Sequence, residues 1–187
     1  MINKFKNKKG FTILESIVAI FILSLSISGA FSAVQQSLSQ SIIAKDEVKA
    51  SYLAQEAIEI IKNKRDSNQL DRIIDNSTNS WLFGISESPA DSCFFGKTCR
   101  VDATSFNFVD CGGGWDSCPN INQDSATFLY SYGAFPVTNF KREIQIERVQ
   151  DDTFGNPIEV AVIVRVSWTK GLVTREFKVK TYLFNWI

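Results

Sequence analysis

The sequence predicts an α+β protein in which a long N-terminal helix packs by its second half on a C-terminal antiparallel β-sheet. Three observations support this prediction. Residues 11–68 hold an apolar run followed by an amphipathic one, with no glycine or proline between Ala30 and Phe83. Residues 139–187 alternate apolar and polar side chains, as half-buried strands do. Residues 69–138 are rich in glycine, serine, asparagine and aspartate and contain all four cysteines, which predicts a variable loop region with short strands, closed by two disulfides.

Residues 1–10 form a short basic leader. They carry four lysines and no acidic residue: Lys4, Lys6, Lys8 and Lys9. Residues 11–34 follow as a run of 24 residues in which Glu15 is the only charged side chain. A helix of this length spans ~36 Å, which is enough to cross a bilayer. The lysines favour a cytoplasmic N-terminus, and the unbroken continuation of the helical pattern argues against a secretory signal peptide.

Glu15 is the feature of this segment that an ordinary membrane anchor does not explain, because a carboxylate near the start of a membrane helix is costly without a partner. The junction K-K-G-F-T-I-L-E-S at residues 8–16 resembles the processing site of type IV prepilins. The resemblance implies that prepilin peptidase cleaves between Gly10 and Phe11 and methylates the new N-terminus at Phe11. It also implies that Glu15 pairs with the N-terminal amine of a neighbouring subunit during assembly.

The same resemblance implies partners and a location. The expected partners are prepilin peptidase, other pilin or pseudopilin subunits, an inner-membrane assembly platform and the lipid bilayer. The chain is expected to cross the inner (cytoplasmic) membrane once, with its N-terminus in the cytoplasm, before it enters an extracytoplasmic filament. Small residues that permit close helix packing recur in the apolar segment: Ser24, Ser28, Gly29 and Ser32. Major pilins often carry proline at the position of Ser32, so its absence favours a minor subunit.

Residues 35–68 continue the helix with an amphipathic pattern. Apolar side chains at spacings of three and four residues predict the face that covers the sheet: Ala50, Leu53, Ala54, Ala57, Ile58 and Ile61. We expect one helix from about Phe11 to about Arg65, ended by the D-S-N tripeptide at residues 66–68. Residues 50–68 are also similar to the corresponding stretch of minor pilins and type I pseudopilins.

The cysteines lie within a single short window of the variable region: Cys93, Cys99, Cys111 and Cys118. Their spacing does not match the close C-x-x-C pairs of structural zinc sites, and an even number beyond an export segment favours disulfides. Among the three possible connectivities, the local pairing of Cys93 with Cys99 and of Cys111 with Cys118 is favoured. Trp115, beside a glycine run, is either an exposed contact residue or part of a small satellite core.

Two further patterns in the variable region concern a calcium site and a glycosylation site. Asp110, Asp116 and Asp124 suggest calcium, but their spacing fits no EF-hand loop, so no metal site is predicted. Asn76-Ser77-Thr78 matches a glycosylation sequon.

Residues 139–187 predict an antiparallel β-meander. In the stretch PIEVAVIVRVSW, residues 157–168, an apolar side chain occupies every second position from Ile158 to Trp168. Before this stretch, Ile144 and Ile146 alternate with charged and polar residues. The apolar face of such a sheet requires a cover, and the helical stripe of residues 50–61 is the segment available for it.

The composition narrows the class of function. The formal net charge of the chain is zero, but residues 11–187 hold 16 basic and 20 acidic side chains, a net charge of −4, which disfavours nucleic acid as a partner. The chain has no histidine, no G-x-S-x-G motif and no glycine-rich phosphate loop. We therefore predict no catalytic residue, no cofactor and no enzymatic activity.

The expected function is that of a minor subunit of a type IV pilus or related filament, which primes assembly or sits at the tip. One alternative is a pseudopilin of a type II secretion or DNA-uptake system. The other, in a different class, is a membrane-anchored extracytoplasmic adhesion or binding module.

Overall fold

The computed structural model describes residue 10 and residues 12–186. This part of the chain contains one α-helix and seven β-strands: α1 (Ile13–Ile74), β1 (Thr98–Val101), β2 (Phe108–Asp110), β3 (Asn120–Gln123), β4 (Tyr130–Ser131), β5 (Val137–Asp151), β6 (Pro157–Lys170) and β7 (Val173–Phe184). The chain divides into two compact units, Met1–Asp46 (unit 1) and Glu47–Ile187 (unit 2).

The helix α1 ends later than the sequence indicates. The predicted end near Arg65 and the predicted segment boundary between residues 68 and 69 are wrong, because α1 continues to Ile74. Asn68 is buried, and its Nδ2 donates hydrogen bonds to the carbonyl oxygens of Trp81 at 3.1 Å and Phe83 at 2.9 Å. Because the following loop supplies these acceptors, the asparagine side chain joins helix to loop and does not compete with the helical backbone.

The last three strands form the antiparallel meander that the two-residue periodicity predicts. β5 pairs with β6, with Phe140 opposite Trp168, and β6 pairs with β7, with Lys170 opposite Val173. The other edge of β5 is shared by β1 and β3, while β2 pairs with β1 and β4 with β3. The variable region therefore contributes four strands to the same sheet, and β5 already begins at Val137, before the predicted boundary at residue 139.

The core of unit 2 lies between α1 and one face of this sheet. All six side chains of the predicted helical stripe are buried there. From β5 and β6, alternate apolar side chains meet them: Ile144, Ile146, Val160, Val162, Val164 and Val166. Full burial of each large aliphatic side chain stabilises the fold by ~1.5–3 kcal/mol. The predicted α+β fold class, a long helix packed by its second half on an antiparallel sheet, is confirmed.

Part of the opposite face of the sheet, around Glu143 and Arg165, is covered by the loop that the Cys111–Cys118 disulfide closes. The backbone N–H of Cys118 donates to Glu143 Oε1 at 3.1 Å, and Lys141 Nζ donates to the carbonyl oxygen of Asp116 at 3.0 Å. A second disulfide joins Cys93 to Cys99 at the start of β1. The predicted two disulfides are thus present, with the local connectivity, and each closes a short loop within the variable region.

Candidate assembly site on the N-terminal helix

The start of α1 is capped by Thr12. The Thr12 hydroxyl accepts a hydrogen bond from the backbone N–H of Glu15 at 3.2 Å, which satisfies one of the N–H groups left free at a helix start. A threonine followed three residues later by a glutamate also matches the capping-box pattern. The cap places Glu15 in the first turn, where the positive end of the helix dipole favours a carboxylate.

Gly10 and Glu15 are the two residues of the predicted assembly site that the structure describes. Both are exposed. No atom lies within 4 Å of the position that a Cβ on Gly10 would take, so an alanine there meets no obstacle in the described chain. Phe11 and the lysines of the leader lie outside the described residues. Cleavage after Gly10, methylation of Phe11 and pairing of Glu15 therefore stay predictions.

After the first turn, α1 presents an apolar surface. Its side chains from Ile13 to Val34 are apolar or small apart from Glu15, and none of them is buried. α1 is therefore long and apolar enough to cross a bilayer. A continuous apolar surface of this kind is unfavourable in water and is satisfied by hydrocarbon or by other apolar helices.

Two serines in the middle of the apolar segment have hydrogen-bond partners within α1. Ser24 Oγ donates to the carbonyl oxygen of Ile20 at 2.8 Å, and Ser26 Oγ donates to that of Ile22 at 2.9 Å. These bonds allow the hydroxyl groups to lie in an apolar environment without water. Apart from its chain neighbours and the backbone of its own helix turn, Gly29 has no atom within 4 Å of the position that a Cβ would take, which leaves room for close approach by another helix.

The three aspartates considered for calcium have separate partners. Asp110 lies 3.2 Å from Lys97 Nζ, Asp116 lies 2.7 Å from Arg165 Nη2, and Asp124 accepts hydrogen bonds within its own turn. Within the described ranges, no three potential metal ligands lie together. These carboxylates therefore act in local structure.

Sequence reasoning missed two buried charged residues on β5, Arg142 and Glu143. Both are fully buried, and as neighbours on a strand they point to opposite faces of the sheet. Arg142 lies on the helix side. Its Nη1 donates to the carbonyl oxygen of Leu53 at 3.0 Å and to the carboxylate of Glu56, and its Nη2 donates to the carbonyl oxygen of Val101 at 2.7 Å. This guanidinium joins α1, β1 and β5.

Glu143 belongs to a charged network on the other face of the sheet. Its Oε2 lies 2.6 Å from Arg165 Nη2, and Asp116 contacts the same nitrogen. The ring of Trp115 lies 4.9 Å from the Arg165 guanidinium and 5.2 Å from Lys178 Nζ. Burial disfavours the charged form of Arg165, but the two carboxylates outweigh this effect and hold its pKa above the ordinary value. Arg165 and Lys178 are opposite each other on β6 and β7, so Trp115 packs against two neighbouring cations on this face of the sheet.

The comparison with protein families matches the N-terminal segment. A family model described as the prokaryotic N-terminal methylation motif matches residues 5–31. No curated protein and no solved structure matches the chain. The match covers Gly10, Thr12 and Glu15, and it shows that the chain carries a type IV prepilin-like signal.

Proposed function

We propose that the chain is a minor subunit of a type IV pilus or a related filament, because a type IV prepilin-like signal leads into an exposed apolar helix. Prepilin peptidase processes it, and it then assembles with other subunits through α1, where it primes assembly or sits at the tip. In this proposal the chain crosses the inner membrane once, with its N-terminus in the cytoplasm, and acts by assembly and not by catalysis.

The observation that carries the proposal is the position of the signal relative to α1. The matched motif spans residues 5–31, while α1 begins at Ile13, directly after the predicted cleavage junction. The same helix continues into unit 2, where residues 50–61 pack on the sheet. Cleavage after residue 10 therefore removes the basic leader and leaves the apolar segment attached to the folded domain, as a filament subunit requires and a secreted protein does not.

Glu15 has a defined role in this proposal. Hydrolysis of the peptide bond between Gly10 and Phe11 frees the amine of Phe11, a short distance along the chain from Glu15. The Glu15 carboxylate of one subunit then forms an ion pair with the Phe11 ammonium group of a neighbouring subunit. Opposite charges attract strongly where the dielectric constant is low, and an unpaired carboxylate is costly there. The pair would therefore fix the axial position at which one subunit stacks on the next.

The cleavage step is tested by intact mass and N-terminal sequencing of the full chain expressed with an active prepilin peptidase. The wild-type chain is expected to begin at Phe11 with one added methyl group. Gly10→Ala is expected to retain Met1, while the matched control Gly29→Ala, also at a site with no neighbouring atom, is expected to be processed normally. A Gly10→Ala chain processed like the wild type would rule out this cleavage site.

The assembly step is tested separately with Glu15→Gln. This variant is expected to reach the membrane and to be processed, but its amount in sheared filaments should fall by about tenfold or more, since a lost ion pair in an apolar site costs several kcal/mol. Glu47→Gln, at another exposed position of α1, is the control and should assemble normally. Equal incorporation of Glu15→Gln and wild type would exclude the pairing role. Incorporation only into a secretion filament would favour the pseudopilin alternative.

A further inference from the structure

Large apolar side chains are exposed together at one end of the sheet in unit 2. We call this set the apolar end, and it comprises residues of the β3–β4 loop, the start of β5, the β6–β7 turn and the start of β7: Phe128, Leu129, Val137, Leu172 and Val173. Leu172 is fully exposed, Phe128 and Val137 are each 70% exposed, and the other two are more than half exposed. Monomeric soluble domains seldom leave such a group uncovered unless it contacts something.

Strand pairing places these residues at the same end. Lys170 is opposite Val173 at the β6–β7 turn, and the start of β5 runs alongside the end of β6. Asn122 of β3 is opposite Val137, so the β3–β4 loop extends past the start of β5. The strands involved are neighbours in the order β4, β3, β5, β6, β7. At ~4.8 Å between strands, the apolar end forms a band about 20 Å wide.

The chain enters unit 2 at this same end. Lys49 Nζ lies 6.0 Å from the ring centre of Phe140, near the start of β5. Further along α1, Arg65 Nη1 donates to the carbonyl oxygen of Phe184 at 3.0 Å, at the far end of β7. The residues of α1 that precede Lys49 include the membrane-spanning candidate segment. The apolar end is therefore the part of unit 2 where the chain arrives from that segment.

Exposed cations border the apolar end. Lys170 precedes Leu172 in the turn, and Arg175 follows Val173 on β7; both are exposed, and neither forms an ion pair with any residue of the described chain. The nearby carboxylate of Asp124 accepts hydrogen bonds from Ala126 N–H and the Thr127 hydroxyl, at 2.8 and 2.7 Å. Apolar side chains bordered by unpaired cations match the interface of a bilayer that contains anionic lipid.

We propose that the apolar end contacts the headgroup interface of an anionic phospholipid bilayer while the subunit is anchored by α1, before it enters a filament. The proposal rests on the proposed function, because it requires the chain to be held in a membrane. Loop side chains such as Leu172 gain by leaving water, while Lys170 and Arg175 remain with the phosphate groups. The folded domain is thereby held against the membrane at the end where the chain emerges from it.

The test uses the full chain reconstituted in vesicles of phosphatidylcholine with a minority of phosphatidylglycerol. The photoreactive residue p-benzoylphenylalanine replaces Leu172 in one variant and Phe128 in another. Phe154, in the β5–β6 turn at the opposite end of the sheet and 88% exposed, receives the same replacement as a matched control. Val18, in the apolar segment of α1, receives it as a control for membrane insertion. Lipid adducts are measured by mass spectrometry after irradiation.

We expect lipid adducts at positions 172 and 128 to exceed those at position 154 by about tenfold, the preference that burial of one large apolar side chain supports. Equal yields at positions 172 and 154, or adducts at 172 with a second protein copy in place of lipid, would overturn the proposal. If position 18 forms lipid adducts and position 172 does not, the proposal fails while membrane anchoring stands. If position 18 forms none, membrane anchoring fails and the proposal falls with it.

The charge of the surface is tested by Lys170→Glu combined with Arg175→Glu. Each basic residue near an anionic leaflet adds about 1 kcal/mol to the free energy of binding to the leaflet, so each should change the lipid-adduct yield by about fivefold. We expect the double variant to lower the adduct yield at position 172 in vesicles with phosphatidylglycerol, and to have little effect in pure phosphatidylcholine. An equal yield with and without the two cations in the anionic vesicles would overturn the assignment of an anionic surface.

Discussion

Replacing Arg142 by methionine removes a buried guanidinium from between α1 and the sheet while keeping an unbranched side chain. The variant loses the hydrogen bonds to the carbonyl oxygens of Leu53 and Val101, at 3.0 and 2.7 Å, and the ion pair with Glu56. Each hydrogen bond from a charged donor contributes ~1.5–3 kcal/mol, and burial of the methionine side chain offsets part of the loss. The side chain of Glu56 is 39% exposed, so water hydrates its carboxylate when Arg142 is absent. We therefore expect the free energy of unfolding to fall by ~3 kcal/mol, the lower end of the range for a broken buried ion pair.

The assay is urea unfolding of the full chain in detergent micelles, followed by tryptophan fluorescence. For a slope of ~2 kcal/mol per molar urea, the expected loss lowers the midpoint by ~1.5 M. Arg175→Met is the matched control, because it makes the same chemical change on an exposed residue of β7, and it should move the midpoint by less than ~0.3 M. An Arg142→Met midpoint within that margin of wild type would refute the conclusion that this guanidinium joins α1 to the sheet.

In the same unfolding assay, Asn68→Ala should lower the free energy of unfolding by about 2 kcal/mol, because a buried and a partly buried hydrogen bond disappear. Asn63→Ala, at an exposed position of α1, should lower it by less than ~0.5 kcal/mol, and equal losses would contradict the role of the buried amide. Replacing Cys111 and Cys118 together by serine should cost ~2.5 kcal/mol, the entropy of closing so short a loop; an unchanged midpoint would show that other contacts hold the loop on the sheet. Burial opposes ionisation of Asp102, but hydrogen bonds to its carboxylate outweigh this effect and hold its pKa below the usual 3.8. The ionised carboxylate therefore stabilises the folded state above about pH 4, and this stabilisation is lost as the pH falls through the lower pKa of the folded state. Asp102→Asn should therefore flatten the acid limb of the stability curve measured against pH, and an acid limb of unchanged slope would count against this assignment.

The helix stripe and the meander were predictable because their side chains repeat with the period of the structure they form. Ala50 and Leu53 recur at helical spacing, and Ile144 and Ile146 at strand spacing, so each segment shows its buried face without knowledge of the other. The prepilin-like junction was predictable for a different reason: the enzyme that recognises it reads residues adjacent in sequence. The methylation motif at residues 5–31 accordingly agrees with the resemblance seen in the sequence alone.

The end of α1 and the buried charges depend on partners distant in sequence. Asn68 is a common helix-ending residue, and only its contacts with Trp81 and Phe83 show why α1 continues past it. Arg142 shares the alternation of Ile144 and so belongs on the inner face, but its acceptors come from α1 and β1. Burial of Glu143 depends on a disulfide-closed loop that folds over β5. The alternation indicated the face of the sheet on which each residue lies, but it did not indicate the acceptors of Arg142 or the loop that covers Glu143.

Both disulfides close short loops within residues 93–118, and this arrangement has a mechanical consequence. Neither of them links α1 to the three long strands β5, β6 and β7. If a filament is pulled through the N-terminal helices of its subunits, side-chain packing and non-covalent polar contacts resist separation of α1 from the sheet. These contacts include the hydrogen bonds of Arg142 and the bond from Arg65 to the carbonyl oxygen of Phe184. We therefore expect a loaded subunit to yield by release of its helix, reversibly and without thiol chemistry, while the covalently closed loops keep their own structure.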